Sequence, residues 1–127
     1  MEQWSREKPG SLVVGGILLP VLLLFLLSLG CTQKLNPPGN FTASCGSTNI
    51  DIQWDGVSGA TYYHLEKRKQ GFADYGEAYG GQDTSYTDSG VDDNDKYEYR
   101  VKAKEGTNSS DYAGPVEGCA GDGCSCP

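Results

Sequence analysis

The sequence predicts an all-β protein in which an antiparallel β-sandwich follows an apolar N-terminal segment. Several short segments after Cys31 alternate apolar and polar residues with a period of two, the pattern of half-buried strands. Turn-forming residues separate these segments at a spacing of roughly 8–12 residues, which is typical of sandwiches. No segment after Cys31 has the periodicity of an amphipathic helix.

Residues 1–30 have the features of an export segment. Residues 11–29 contain no charge, and Arg6 and Lys8 precede them, as in segments whose positive end stays in the cytoplasm. This run is longer than the ~7–15 residues of a secretory apolar core and within the ~17–25 that span a bilayer. Residues 1–30 are therefore predicted to be either a cleaved signal peptide or a membrane anchor, and in both cases residues 31–127 lie outside the cytoplasm.

Five cysteines in a short exported chain indicate disulfide bonds or modification rather than free thiols. The number is odd, and Cys31 stands apart from the other four at the end of the apolar run. The sequence SLGC at 28–31 resembles the bacterial lipobox, although Ser28 occupies a position where leucine is usual. The resemblance implies acylation of Cys31 and a lipid anchor in the cell membrane or outer membrane. An uncleaved transmembrane helix is the alternative.

The exported part begins with a short polar tether, residues 31–36, and its first three predicted strands follow in order. Residues 41–45 form the first strand candidate. Residues 50–54 alternate isoleucine and tryptophan with aspartate and glutamine, so one face is apolar. Residues 61–69 alternate in the same way after a glycine-containing turn.

The second half of the exported part contains four more predicted strands. Residues 71–82 are rich in glycine and tyrosine, and only 77–79 are predicted to be extended. Strands are predicted at 84–88, at 96–104, where the alternation is most regular, and at 112–118. The side chains predicted to face the core are Ile50, Ile52, Trp54, Tyr63, Leu65, Tyr97, Tyr99, Val101, Ala103 and Val116.

Five motifs in succession resemble a fibronectin type III domain. They are PPGNFTAS, IDIQW, VSGATYYHLEKR, TSYTDSGV and DKYEYRVKA. The resemblance covers residues 37–118 and implies a seven-stranded, immunoglobulin-like antiparallel sandwich. It places Trp54 in the core and implies that the Tyr97 hydroxyl ties its strand to the preceding loop, with Val91 where the family usually has leucine.

Residues 119–127 are predicted to be a tail rich in cysteine and glycine. In the type III topology Cys45 and Cys119 lie at the same end of the sandwich, so the resemblance implies a Cys45–Cys119 disulfide. Four cysteines allow three pairings, and the sequence does not choose among them. Three alternatives use the same thiols: a strained, redox-labile bond between Cys124 and Cys126, a mixed pairing or free thiols in a frayed tail, and a tetrahedral metal site.

The other polar clusters favour structural roles. Residues 88–95 carry four carboxylates but lack the order of an EF-hand, so a solvated acidic turn is preferred to a calcium site. The basic run 67–69 is interpreted as a solvated strand end. His64 is the only histidine, and no nucleophile lies in a supporting motif. We expect no enzyme activity, no catalytic residue, no metal and no cofactor, and the net charge of -7 argues against nucleic acid as a partner.

Exposed aromatic side chains are the remaining candidates for recognition, since tyrosine is favoured at interfaces. A binding surface is predicted at Tyr62, Phe72, Tyr75 and Tyr79, with Tyr112 as a further exposed aromatic residue. In the alternative interpretation some of these residues close the open side of the sandwich. The predicted function is a membrane-anchored, non-catalytic interaction or adhesion module for a protein or carbohydrate ligand. The alternatives are a structural spacer at the cell surface and a redox or metal-binding protein that uses the C-terminal cysteines.

Overall fold

The computed structural model describes residues 33–125. These residues form nine strands and no helix, so none of them belongs to a helix that could cross a bilayer. The strands are β1 (Thr42–Ala43), β2 (Cys45–Gly46), β3 (Ile50–Gln53), β4 (Tyr62–Lys69), β5 (Gly76–Gly81), β6 (Ser85–Asp88), β7 (Lys96–Glu105), β8 (Asn108–Ser109) and β9 (Ala113–Ala120). The predicted export segment, residues 1–30, and the predicted lipid-attachment residue Cys31 lie outside the described residues.

The strands form two sheets that enclose one hydrophobic core. The smaller sheet has the order β1-β3-β6, and the larger has the order β2-β9-β7-β4-β5, with β8 paired to β7. The ladders are antiparallel except that of β2 and β9, which is parallel. The prediction of an all-β sandwich is confirmed, and the parallel ladder of β2 and β9 is an exception to the predicted antiparallel pairing.

The strand count differs from the predicted seven at two places. Residues 41–45, predicted as one strand, are divided, because β1 pairs with β3 in the smaller sheet while β2 pairs with β9 in the larger. Ser44 lies at the crossing point, and its backbone N–H donates to the carbonyl of Asp51 at 2.9 Å. The two-residue strand β8 is additional and forms a hairpin with the end of β7.

Strand β5 is six residues long rather than the predicted three, and it lies at one edge of the larger sheet. Its register with β4 shifts: Leu65 pairs with Tyr79, but Glu66 pairs with Glu77. Ala78 is therefore an extra residue on β5, which is a β-bulge. A bulge on an edge strand disturbs the row of unpaired backbone groups, so this edge is a poor template for a further strand.

The core consists of alternate side chains of β3, β4 and β7. Of the residues predicted to face inward, Val116 is half-buried and packs against the core, and the others are buried. The Trp54 ring centroid lies 6.3 Å from that of Phe41 and 5.8 Å from that of Tyr63. Each large apolar side chain buried in this way stabilises the fold by about 1.5–3 kcal/mol.

The sandwich includes residues beyond both predicted boundaries of the domain, residues 37 and 118. Leu35 lies in the predicted tether, yet its side chain packs against the core. Beside it, Lys34 Nζ lies 2.9 Å from Asp111 Oδ1. At the other end β9 continues to Ala120, so Cys119 and Ala120 are buried residues of the sheet rather than of a tail.

Candidate functional site

The outer face of the larger sheet carries paired charges. Alternation along β4 and β7 places one set of side chains in the core and the other set on this outer face. The outward residues that face each other across the two strands are His64 and Lys102, Glu66 and Arg100, and Arg68 and Glu98. Two of these pairs, Glu66 with Arg100 and Arg68 with Glu98, are opposite charges directly across an antiparallel ladder, which stabilise a sheet, so this face is ordered by its own side chains.

Arg100 lies at the centre of this face, between two tyrosine rings. Its guanidinium carbon is 3.9 Å from the ring centroid of Tyr75 and 4.1 Å from that of Tyr112. Its Nε and Nη2 both donate to Glu66 Oε1, at 2.7 and 2.6 Å. Arg68 also stacks on Tyr75, at 4.5 Å. We call Tyr75, Arg100, Tyr112 and Glu66 the tyrosine–arginine stack.

The protonation states within the stack reinforce its hydrogen bonds. Burial acts to raise the pKa of Glu66, but hydrogen bonds from Arg100, His64 and Tyr112 outweigh it and hold the pKa below its usual value. Burial, followed by the hydrogen bond to Glu66, raises the pKa of Tyr112. At neutral pH a charged carboxylate therefore accepts from a protonated tyrosine and a guanidinium.

His64 extends the charged face toward β5. Its Nε2 lies 3.0 Å from Glu66 Oε2 and its Nδ1 lies 3.1 Å from Glu77 Oε2. The two carboxylates contact different ring nitrogens of the imidazole. They are therefore not arranged to bind one cation together with a single ring nitrogen. Within residues 33–125, no group of three His, Cys, Asp or Glu side chains is arranged to hold a metal ion.

The four residues of the predicted binding surface differ in their surroundings. Tyr75 belongs to the tyrosine–arginine stack. Phe72, in the turn after β4, is 63% exposed. Tyr62 is 37% exposed, and its hydroxyl lies over Gly80, where no side chain blocks it.

Tyr79 does not belong to an exposed surface. It is paired with inward-facing Leu65, so it occupies the same inner face of the sheet. Its ring stacks on Tyr86 at 5.3 Å between centroids and lies 6.3 Å from Trp54. Tyr79 therefore closes the open side of the sandwich, which is the alternative that the sequence left open.

The predicted binding surface includes neither Arg100 nor Tyr112. The alternation along β7 places Arg100 on the outer face, which is a signal that the sequence carries. Tyr75 and Tyr112 lie just outside β5 and β9, where strand periodicity does not specify side-chain direction. Their convergence on one guanidinium depends on the paths of two separate loops.

The acidic segment is not a fully solvated turn. Asp88 is buried, and its Oδ2 accepts from Lys67 Nζ at 2.7 Å and from the Tyr99 hydroxyl at 2.9 Å. Its Oδ1 accepts from the backbone N–H of Gly90 at 3.0 Å. Burial and then the Asp88 carboxylate raise the pKa of Tyr99 far above its usual range, so this hydroxyl remains a donor. Asp88 lies two residues after Tyr86 and therefore shares its inward face.

The basic run 67–69 is paired rather than simply solvated. Lys67 contacts Asp88, Arg68 contacts Glu98, and Lys69 contacts the acidic segment. In the same segment the N–H of Asp92 donates to the Tyr97 hydroxyl at 3.0 Å. The predicted tie between Tyr97 and the preceding loop is therefore present.

The disulfide pairing differs from the predicted one. Cys119 is bonded to Cys124, with a Cα–Cα distance of 5.7 Å. Cys45 is also disulfide-bonded, but not to Cys119, although the two are partners in the β2–β9 ladder. The turn after β9 brings Cys124 back to Cys119 across only five residues, which makes the local pairing easy to form. Cys126 lies outside the described residues.

No protein-family profile and no curated protein matches this chain, but solved structures do. An Fn3-like protein from Clostridium thermocellum is 21% identical, with a TM-score of 0.62 over 69% of this chain and 95% of that chain. The structure of FN3tt is 16% identical, with a TM-score of 0.61 over 71% of this chain and 100% of that one. A structure of titin kinase and its flanking domains is 19% identical, with a TM-score of 0.60.

The coverage of these structures differs. The titin match involves 67% of this chain but only 17% of that chain, whereas the two single-domain matches extend over almost the whole of theirs. The similarity therefore concerns one domain. Together with the two-sheet strand order and the Trp54 core, it shows that residues 33–125 have the fibronectin type III fold.

Proposed function

We propose that this chain is a membrane-anchored extracytoplasmic protein whose fibronectin type III-like domain is a non-catalytic interaction module. The anchor is a lipid on Cys31, in the cell membrane or outer membrane, as the SLGC motif implies. Disulfide-bonded Cys45, Cys119 and Cys124 support an oxidising compartment, because such bonds are rare in the cytosol.

The tyrosine–arginine stack is the observation that carries the interaction function. Tyrosine and arginine are, with tryptophan, the residue types enriched among those that dominate binding energy at protein interfaces. The stack is held by Glu66 and by ring contacts before any partner arrives, which reduces the entropy lost on binding. A protein surface is therefore the proposed partner. The bulged edge strand β5 is a poor docking site, so the partner would meet the face of the sheet.

The non-catalytic assignment is supported by the way the polar groups are used. His64 and the carboxylates of Glu66, Glu77 and Asp88 are engaged in ion pairs and hydrogen bonds with each other or with neighbouring cations. A general acid or base needs a proton-transfer partner in a substrate site. In this protein the atoms that would transfer a proton are instead engaged in these contacts, which stabilise the sheet.

The anchor is tested by the intact mass of the protein extracted from membranes. We expect a mass that corresponds to loss of residues 1–30 and addition of acyl groups. The Cys31→Ser variant has no thiol to acylate, so its mass should lack the added acyl groups. After treatment of the membranes with alkaline carbonate, the wild-type protein should remain in the membrane pellet. An unmodified mass with residues 1–30 retained would identify a helical anchor and contradict the lipid.

The interaction surface is tested by Tyr75→Ala in the full chain on its native membrane. A photo-crosslinking amino acid at Lys102, beside the stack, should link to one protein partner, and Tyr75→Ala should weaken that interaction roughly thirtyfold, as expected for a residue worth about 2 kcal/mol. Gln53→Ala, on the other sheet, is the matched control and should cross-link normally. Equal cross-linking of both variants would favour the spacer function.

A further inference from the structure

Cys45 is disulfide-bonded, and its partner is neither of the other two cysteines that the structure describes. Those two, Cys119 and Cys124, are bonded to each other. The sequence has five cysteines, so the partner within this chain is Cys31 or Cys126. A disulfide at Cys31 would leave that residue without a thiol for acylation, whereas a disulfide at Cys126 would leave it available.

The turn that follows β9 is fixed beside Cys45. Strand β2, to which Cys45 belongs, pairs with the end of β9. The carbonyl of Gly46 accepts a hydrogen bond from the backbone N–H of Gly121 at 2.9 Å. From the acidic segment, Asn94 Oδ1 accepts from the N–H of Gly123 at 2.8 Å. These contacts hold the turn on both sides, so the chain that continues from it starts close to β2.

Cys126 can reach Cys45 from this turn. A disulfide needs a Cα–Cα distance of about 4.4–6.8 Å. Because neighbouring strands lie about 4.8 Å apart, the Cα of Cys119 is about 5 Å from that of its ladder partner Cys45. Cys124 lies 5.7 Å from Cys119, so its Cα is within about 11 Å of that of Cys45. The two residues from Cys124 to Cys126 extend by up to about 7 Å, which is enough to close the remaining distance.

Lys34 and Leu35 are held at the other end of the larger sheet. Lys34 Nζ lies 2.9 Å from Asp111 Oδ1, in the segment that follows the β7–β8 hairpin. Leu35 lies beside Gly59, in the turn that precedes β4. Strand β4 begins opposite Lys104, near the end of β7. The chain before Lys34 therefore starts from the end of β7.

Cys31 is too far along the sheet to reach Cys45. Cys45 lies near the start of β7, because its ladder partner on β9 is paired with Lys96. From Lys96 to Lys104 the strand rises by about 26 Å, at about 3.3 Å per residue. The three residues from Lys34 to Cys31 extend by at most about 11 Å. The chain is therefore too short for a Cys31–Cys45 disulfide.

We propose that Cys45 is bonded to Cys126. With the Cys119–Cys124 bond it forms a two-disulfide clasp that fastens the turn after β9 to the two-residue strand β2. When the bond forms, the two thiols lose two protons and two electrons, which convert a disulfide oxidant of the extracytoplasmic compartment to its dithiol. Of the five cysteines, this pairing leaves only Cys31 with a thiol to acylate. The pairing goes beyond the proposed function and does not rest on it.

The experiment is disulfide mapping of the full chain, extracted from membranes without reductant and with N-ethylmaleimide to block free thiols. Trypsin and a protease that cleaves before aspartate separate the cysteines into three peptides: 35–50 (Cys45), 111–121 (Cys119) and 122–127 (Cys124 and Cys126). We expect one species in which all three peptides are joined. Electron-transfer fragmentation, which cleaves disulfides and the backbone, should assign Cys45 to Cys126 in the wild-type protein, so no variant is needed for this assignment.

Two variants give an independent measurement. Cys45→Ser should gain one maleimide per chain, on Cys126, and Cys126→Ser should gain one on Cys45. The Cys119–Cys124 bond should persist in both variants, because it does not involve the substituted residues.

The pairing is overturned if Cys45 is found bonded to Cys31, Cys119 or Cys124, or if the maleimide in Cys45→Ser is on a residue other than Cys126. The proposed lipid is tested separately by the peptide that contains Cys31. A maleimide on Cys31 together with a Cys45–Cys126 bond would contradict the lipid anchor and leave the pairing intact.

Discussion

Replacing Asp88 with alanine is expected to lower the free energy of unfolding by about 1–3 kcal/mol, the cost of leaving a buried hydrogen-bond donor without an acceptor. The carboxylate is buried and accepts from Lys67, from the Tyr99 hydroxyl and from the N–H of Gly90. Without it, the Tyr99 hydroxyl remains in the core with no acceptor. Because domains of this size have only about 5–15 kcal/mol of stability, the effect is a large fraction of the total.

Urea denaturation of the wild type and variants measures this loss as a shift of the midpoint at constant slope. Asp88→Asn keeps the shape and an acceptor oxygen, so we expect a smaller loss than for alanine. Asp93→Ala is the matched control, because Asp93 is exposed in the same acidic segment, and its effect should stay within about 0.5 kcal/mol. Equal midpoints for Asp88→Ala and Asp93→Ala would show that the buried network does not stabilise the fold.

The second large effect is expected at Trp54, where substitution by alanine should cost about 3–5 kcal/mol. The indole is 4% exposed and contacts Phe41, Tyr63 and Tyr79, so its removal leaves a cavity between the two sheets. Its Nε1 is buried and has no hydrogen-bond partner among the described residues. Trp54→Phe removes this unpaired donor, and the gain offsets part of the packing that phenylalanine loses.

Chemical denaturation followed by far-ultraviolet circular dichroism measures the stability of each variant, because this signal does not depend on the tryptophan that is removed. We expect the order wild type, Trp54→Phe, Trp54→Ala in decreasing stability. Phe72→Ala is the control: it removes a large aromatic ring that is 63% exposed, and its effect should be within about 0.5 kcal/mol. A Trp54→Ala variant as stable as Phe72→Ala would contradict the assignment of Trp54 to the core.

Most of the strands could be predicted because period-two alternation is a local property. Residues 50–54, 61–69 and 96–104 each contain their own pattern of apolar and polar side chains, and β3, β4 and β7 lie there. Strand β5 was predicted too short because its glycines carry no pattern. The division at Ser44 depends on which strands are available for pairing, and the pairing partners lie far away in sequence.

The candidate site could be predicted only in part. Tyr75 was identified by its residue type, but the same reasoning also selected Tyr79, which the bulge at Ala78 and the pairing with Leu65 place on the inner face. The alternation along residues 96–104 indicates only that Arg100 faces outward. Two rings from different loops make it the centre of the stack, and loop paths are not encoded in strand periodicity.

The sequence by itself determined the all-β class, the inward and outward faces of the main strands, and the residues of the core, because burial of alternate side chains is required by any sheet that covers an apolar core. Only the tertiary structure decided the burial of Asp88, the pairing of Cys119 with Cys124, the inward position of Tyr79 and the grouping of Tyr75, Arg100 and Tyr112. Each of these depends on distances between segments that are separate along the chain. Those distances result from packing the two sheets together, which no local pattern specifies.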